Sequence, residues 1–302
     1  MGSGDTCGSG GRLQTCIRLT AAGQTLLVDC GATSLVGLKA QRIDPSTIDA
    51  VVVTHLHGDH FGGLPFLVLD GQFSRRSTPL VVAGPPGTRA RLAEAMEVLF
   101  PGSTRVQRCF PLEVVELALD GTPVNVHAVT VRAWEVEHAC GAPPLAVNVA
   151  LGGSVFAYSG DTQWTPALIE ASRGADLFAV EAYTYDRSVR YHLDYRTLRE
   201  HAHEITAART IFILSVKGTA AWVVALVAAA VARRRNGAAR GPVVLPILAG
   251  VFLLGGHPFP SAPSCALATA WVELSPRGRT SVTRPRGQQI TVMRPTRDRS
   301  SW

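Results

Sequence analysis

A cluster of polar side chains at the end of an apolar strand constrains this chain more than any other feature. Ile48 to Val53 is rich in β-branched residues and reads as a strand covered on both faces. Directly behind it comes Thr54-His55-Leu56-His57-Gly58-Asp59-His60, which places three imidazoles and a carboxylate within six residues. These are borderline metal donors, and random sequence seldom sets four of them at the end of an apolar strand. On a tight turn, His55 and His57 point to one side while Asp59 and His60 reach the other, so one short loop can serve two adjacent metal ions. A single loop cannot complete two coordination shells. The fold must therefore bring other strand ends to the same place.

The rest of the chain offers such ends. Thr15 to Leu19 and Thr25 to Val28 read as a hairpin turned at Ala22-Gly23, and Pro79 to Ala83 as another buried strand. Arg89 to Leu99 has helical spacing and stops at Pro101-Gly102. Val124 to Trp134, Leu145 to Leu151 and Val155 to Tyr158 are expected strands, the last two joined at Gly152-Gly153. Thr165 to Ser172 and Tyr195 to Ala208 are expected helices, with Asp194 as N-cap of the second. His138 follows the strand ending near Trp134, and Asp161 follows Val155 to Tyr158 beside a glycine that permits close backbone approach. Taken singly, His138 is equally an exposed loop histidine, and Asp161 a turn or N-cap aspartate. His127 reads as a structural strand residue, and His201 and His203 as solvated on different faces of their helix.

Charge is distributed unevenly. Residues 1–204 hold 16 Lys and Arg against 21 Asp and Glu, whereas 205–302 hold 13 basic residues against Glu273 and Asp298. The overall net charge of +6 thus belongs to the tail, and its placement gives no support to a basic surface gathering RNA over residues 1–204. Beyond Ala208 charged residues thin out. Trp222 to Ala232 and Val243 to Leu254 are apolar, with Arg233-Arg234-Arg235 between them, and each is shorter than the roughly 20 residues a membrane helix needs. Association with a membrane through 219–256 is an alternative to a cytoplasmic location. Ser275 to Trp302, rich in Arg, Thr and Pro, is expected to be disordered. The six cysteines show no CxxC spacing and read as ordinary thiols of a reducing compartment.

HxHxDH, then an isolated histidine, then Ser159-Gly160-Asp161-Thr162, in this order, resembles the metallo-β-lactamase superfamily from about residue 2 to 210. The glycine-rich opening, Tyr158 to Trp164, the strand end Ala179-Val180-Glu181-Ala182 and Tyr191-His192-Leu193-Asp194 most resemble its ribonuclease Z and phosphodiesterase branch. The resemblance implies an α+β fold, a four-layer αβ/βα sandwich, with a dinuclear site at the sheet edge in residues 1–210. It implies that His55, His57 and His138 hold a first zinc and that Asp59 and His60 hold a second, with Asp161 bridging both. Mn or Fe are alternatives to zinc. Two metals about 4 Å apart would activate a hydroxide and neutralise charge on a phosphoryl or carbonyl oxygen. Asp59 would orient or deprotonate that nucleophile, and His192 would face the scissile phosphate.

Two departures shape the expectations. The chain opens on the glycine-rich turn, where the family usually has a strand first. A last histidine ligand, usually within Leu-Thr-His, is expected after Thr210 to Leu214, and Ser215 stands there; the next histidine is His257. Residues 211–302 are accordingly expected to be an atypical tail, derived from a frameshift, a fusion or a misplaced gene end, and the second metal to bind weakly. The leading function is a zinc-dependent phosphodiesterase acting on RNA ends or small phosphodiesters, with a homodimer as an open alternative. A lactone or thioester hydrolase, or a degenerate non-catalytic member, are the competing readings.

Overall fold

The computed structural model describes residues 2–214 and two short strands at 245–247 and 271–273. A first sheet has the order β1 (Ile17–Ala21), β2 (Gln24–Val28), β3 (Ala50–Val52), β4 (Leu80–Gly84) and β5 (Leu112–Glu116). β1 and β2 form the expected hairpin, with Ala22 and Gly23 at φ 52° and 75°, and the remaining neighbours are parallel. Two successive positive φ values match the twist of the flanking strands. In the second sheet β6 (Val124–Val126), β7 (Val129–Glu135), β8 (Leu145–Leu151) and β9 (Ser154–Tyr158) form an antiparallel meander. β10 (Leu177–Ala182) and β11 (Thr210–Leu214) add to it in parallel. Two short antiparallel strands, β12 (Leu245–Ile247) and β13 (Trp271–Glu273), continue it beyond β11.

The period of two along each strand sorts its side chains between layers. Leu26, Val28, Ala50, Val52, Val81 and Ala83 face the second sheet, where Val147, Val149, Phe156, Tyr158 and Ala179 meet them in one buried core. The alternate residues, among them Leu27, Val51, Val53, Leu80 and Val82, face outward to helices α1 (Ser34–Ala40), α3 (Leu64–Phe73) and α4 (Thr88–Leu99). On the opposite side Ala146, Ala157, Phe178 and Val180 pack under α5 (Ala167–Ser172) and α6 (Tyr195–Glu200). This is the four-layer αβ/βα sandwich. Central strands covered on both faces have no solvent side to mark with polar residues, which is why the stretch around β3 reads as nearly continuous apolar sequence.

Three expectations are corrected. Val124 to Trp134 is two strands, broken by a tight turn in which His127 is exposed at φ 53°, so His127 is a turn residue. The helix expected over Tyr195 to Ala208 ends at Glu200, because the chain must return to the sheet, where Ala208 N–H donates to the Ala175 carbonyl at 2.8 Å. His201 therefore sits at the helix end, stacked on Trp164 at 4.0 Å, with Nδ1 2.5 Å from Glu204 Oε1, and is not a solvated helix-face residue. His203 likewise lies beyond the helix. Among the described residues no helix is long and apolar enough to cross a membrane. The stretch 222–232, nearly all of 243–254, Ser215, His257 and 275–302 lie outside the described residues.

Candidate metal centre

The site forms at one edge of the sandwich, where loops leaving strands of both sheets converge. After β3 the chain makes a single helical turn, α2 (Gly58–Phe61), with His57 at its N-cap. Leu56 and Phe61 bury against the helices outside the first sheet, so the polar residues between them face the other way. The loop backbone is held by the segment after β2: Cys30 N–H donates to the His60 carbonyl at 2.6 Å and Ala32 N–H to that of Gly58 at 3.2 Å. Gly31 makes this approach feasible, since a Cβ there would lie 2.2 Å from the Asp59 carbonyl oxygen. Across the gap, Leu145 N–H at the start of β8 donates to the Thr54 carbonyl at 2.9 Å. Gly160, at φ 61°, brings the loop after β9 against the same two residues. A Cβ at Gly160 would stand 2.7 Å from the Leu145 carbonyl oxygen.

All seven residues expected from the sequence meet here. The ligand atoms of His55, His57 and His138 lie within 4.8 Å of one another, as do those of His55, His60 and Asp161. His55 is thus common to both trios. His138 Nε2 is 3.1 Å from His57 Nδ1, and His60 Nε2 is 3.4 Å from Asp161 Oδ1 and 3.7 Å from Asp59 Oδ2. Donors around one tetrahedral ion with bonds near 2.1 Å stand roughly 3.4 Å apart, so the spacing suits metal coordination. Two buried atoms sharpen the point: His55 Nε2 and Asp59 Oδ1 have no hydrogen-bond partner. Each such orphan costs about 1–3 kcal/mol, and cations bound at the two donor sets would satisfy them. The donor set fits a pair of divalent metals.

The outer partners fix which nitrogen of each imidazole faces inward. His60 Nδ1 donates to Asp29 Oδ2 at 2.6 Å and His138 Nδ1 to the Tyr191 carbonyl at 3.0 Å, leaving Nε2 of both for the site. His55 Nδ1 is 3.2 Å from Thr54 Oγ1, which itself donates to Asp29 at 2.9 Å. Asp29, fully buried, therefore holds two of the histidines, one directly and one through Thr54. Thr6 Oγ1 donates to Asp59 Oδ2 at 2.8 Å, and the buried Oδ1 is left without a partner. Burial keeps His55 neutral well below the usual imidazole range, with its lone pair available. Burial alone would lower His60 too, but the Asp161 and Asp29 carboxylates outweigh it and hold the ring well above that range.

Sequence reasoning missed Asp29, Thr6 and Glu181. Glu181 is the lone carboxylate in the apolar strand β10, and that isolation was the available signal. With Asp161 and His192 it makes a third group whose ligand atoms lie within 4.8 Å of one another. His192 Nδ1 donates to Glu181 Oε1 at 2.6 Å, while Thr162 and Leu193 N–H groups donate to Oε2 at 3.1 and 3.3 Å. Burial and the Asp161 charge push Glu181 up to about 7. Burial would lower His192, but the hydrogen bond and charge of Glu181 raise it, so the pair keeps a proton near neutrality. A cavity of about 40 Å³ lies against this edge, lined by Arg12, Asp59, His60, Asp161, Glu181 and Tyr183 among others. Cys7, Cys16, Cys30, Cys109 and Cys140 are free thiols; Cys265 lies outside the described residues.

Comparison with known proteins agrees with this fold. The family model for the beta-lactamase superfamily domain matches residues 24–213. A ribonuclease Z of Bacillus cereus is 35% identical over 141 residues, and one of Bacillus thuringiensis is 34% identical over the same length. Each match covers 46% of this chain and 44% of the relative, so the chain spans less than half the length of the curated relatives it matches. Among solved structures, human tRNase Z, short form, superposes with a TM-score of 0.60 at 23% identity, over 72% of this chain and 91% of that one. The metallo-beta-lactamase fold protein YhfI from Bacillus subtilis gives 0.54 at 20% identity, over 69% and 82%. A diphosphatase from the PhnP family gives 0.53 at 19% identity, over 68% and 74%. These structural likenesses establish the fold.

Proposed function

Since its family model covers more than half of the chain, the protein belongs to the metallo-β-lactamase superfamily, and from that premise we propose that it is a ribonuclease Z-like, metal-dependent phosphodiester hydrolase. The observation that carries the reading is the third donor group, which sets a proton-bearing His192, braced by Glu181, beside Asp161 at the edge of the two ligand trios. His55, His57 and His138 would hold one zinc; Asp59 and His60 would hold the second, with Asp161 shared. Bound metals would lower the pKa of a water nucleophile and offset charge on the phosphoryl oxygens.

The remaining steps belong to the protein's own side chains. Asp59, with Oδ2 occupied by Thr6, presents Oδ1 as the group that orients the attacking water and accepts its proton. His192 Nε2 faces away from Glu181 and is the group that donates a proton to the departing oxygen, while the 2.6 Å bond at Nδ1 keeps the ring aligned and protonated. The substrate class is an RNA end or a smaller phosphodiester, in keeping with the ribonuclease Z relatives.

Purified full-length protein tests the reading. About two zinc per chain by elemental analysis, with turnover of an aryl phosphodiester, is the expected result. One or no zinc and no turnover would favour a non-catalytic member. His192→Ala should lower kcat by roughly 10²–10⁴-fold, the usual contribution of a positioned proton donor, with metal content unchanged. If that variant hydrolyses phosphodiesters as fast as the parent, His192 is not the proton donor; a zinc-loaded parent that leaves phosphodiesters intact makes a carbonyl substrate such as a lactone or thioester the better reading.

A further inference from the structure

The short connection that delivers His192 carries a feature the metal centre does not require. Val189 to His192 is a tight turn closed by His192 N–H donating to the Val189 carbonyl at 3.0 Å, with Arg190 and Tyr191 at its tip. Tyr191 sits at φ 68°, the left-handed region that turns of this kind reserve for glycine or asparagine. A bulky ring there costs about 1–2 kcal/mol, which any glycine would avoid. The turn is nevertheless pinned to the site. The Tyr191 carbonyl accepts from the ligand His138 at 3.0 Å, and its N–H donates to Gln163 Oε1 at 3.3 Å.

The ring has surroundings suited to a planar ligand. It is half-buried, its centroid 6.4 Å from that of His138, and the exposed Arg190 guanidinium lies 4.5 Å from its centroid. A second tyrosine, Tyr183, stacks on His192 at 4.6 Å and lines the cavity. The surrounding segment balances its charges, Arg187, Arg196 and Arg199 against Asp186, Asp194 and Glu200, and carries Tyr183, Tyr185, Tyr191 and Tyr195, so this edge is aromatic, with Arg190 as the cation that lies on Tyr191. Stacked arginine and tyrosine beside a phosphate-handling site are the elements that hold single-stranded nucleotides through the faces of their bases.

We propose that the Arg190–Tyr191 pair is a base-stacking platform that selects substrates carrying a nucleobase next to the phosphoryl group in the metal centre. The inference rests on the phosphodiesterase reading and makes its substrate a nucleotide or a nucleic-acid strand, with Tyr191 as a specificity-determining residue. The strain at Tyr191 has a reason on this account, since the position trades local backbone preference for an aromatic face.

The test is a binding measurement that needs no turnover. With zinc-loaded full-length protein, calorimetric titration of adenosine monophosphate and of inorganic phosphate should show the nucleotide binding about tenfold tighter, a ratio within the range of base–aromatic stacking. Tyr191→Gly relieves the backbone strain and so folds at least as well. It should bring the two ligands within about twofold of each other, and Tyr191→Phe should keep the parent ratio. Equal affinity for nucleotide and phosphate in the parent, failure of both to bind, or a parent-like ratio in Tyr191→Gly would overturn the platform. Hydrolysis of an aryl phosphodiester by the same preparation reports separately on the catalytic reading.

Discussion

Individual side chains at this centre divide into those that would touch metal and those that aim them. Asp29 belongs to the second kind: fully buried, it accepts from Thr54 N–H at 2.7 Å, from Thr54 Oγ1 and from His60 Nδ1. Asn at this position keeps the shape and suits the left-handed φ of 60°, but replaces one acceptor oxygen with a donor that faces other donors. Asp29→Asn should therefore fold and lose about 10–100-fold in zinc affinity, the usual effect of removing an outer partner of a ligating histidine. Competition with a coloured chelator measures this, and an unchanged dissociation constant would show that Asp29 does not position the ligands. The six candidate metal ligands and His192 could be singled out in the sequence because His and Asp at the ends of apolar strands have few structural uses. Asp29 could not, because a single carboxylate beside an apolar strand looks the same whether it caps a turn or braces a histidine; Glu181 stood out inside an apolar strand, but only the convergence of distant segments shows that it braces His192.

At the level of elements, the buried strands carried the clearest signal and the short helices the weakest. β3 and β4 are apolar throughout, as is the second half of β2, because these stretches are covered on both faces, and the Ala22-Gly23 and Gly152-Gly153 turns mark hairpins by their positive φ values. α3 escaped notice because Gly62-Gly63 and Pro65 punctuate its start like a loop, yet Leu64, Leu67 and Val68 bury against the first sheet. The metal loop itself depends on a contact between two elements that no local pattern encodes: Gly31 lies against the carbonyl of Asp59. Gly31→Ala would set a Cβ 2.2 Å from that oxygen and 2.7 Å from Gln14 Cβ, forcing the loop away. The expected cost is about 1–3 kcal/mol in urea denaturation, accompanied by reduced zinc content. Gly23→Ala is the control, since a Cβ there meets nothing within 4 Å and only its φ of 75° is disfavoured. If Gly31→Ala is no more harmful than Gly23→Ala and keeps its metal, the loop is not held by this contact.

Across the whole molecule, the candidate ligands come from both halves of the sandwich. His55, His57, Asp59 and His60 follow β3 of the first sheet, whereas His138 follows β7 and Asp161 follows β9 of the second. The two sheets already share an apolar core, so bound metal would act as a polar rivet at one edge of an otherwise hydrophobic joint. It would also satisfy the orphaned His55 Nε2 and Asp59 Oδ1 and separate the facing ring nitrogens of His57 and His138. Ligand that binds only the folded state stabilises it by mass action, by about 4 kcal/mol when free metal is a thousand times its dissociation constant. For a domain of 150–250 residues each kcal/mol moves Tm by roughly 2–4 °C, so stripping the metal with a chelator should lower Tm by roughly 8–16 °C. Zinc restored in excess over the chelator should recover the loss. Because the two sheets share an apolar core, a chelated sample should still unfold in one cooperative transition, monitored together by circular dichroism and tryptophan fluorescence. Melting curves that coincide with and without chelator, on protein shown to contain zinc beforehand, would mean that the two halves meet without help from the metal centre.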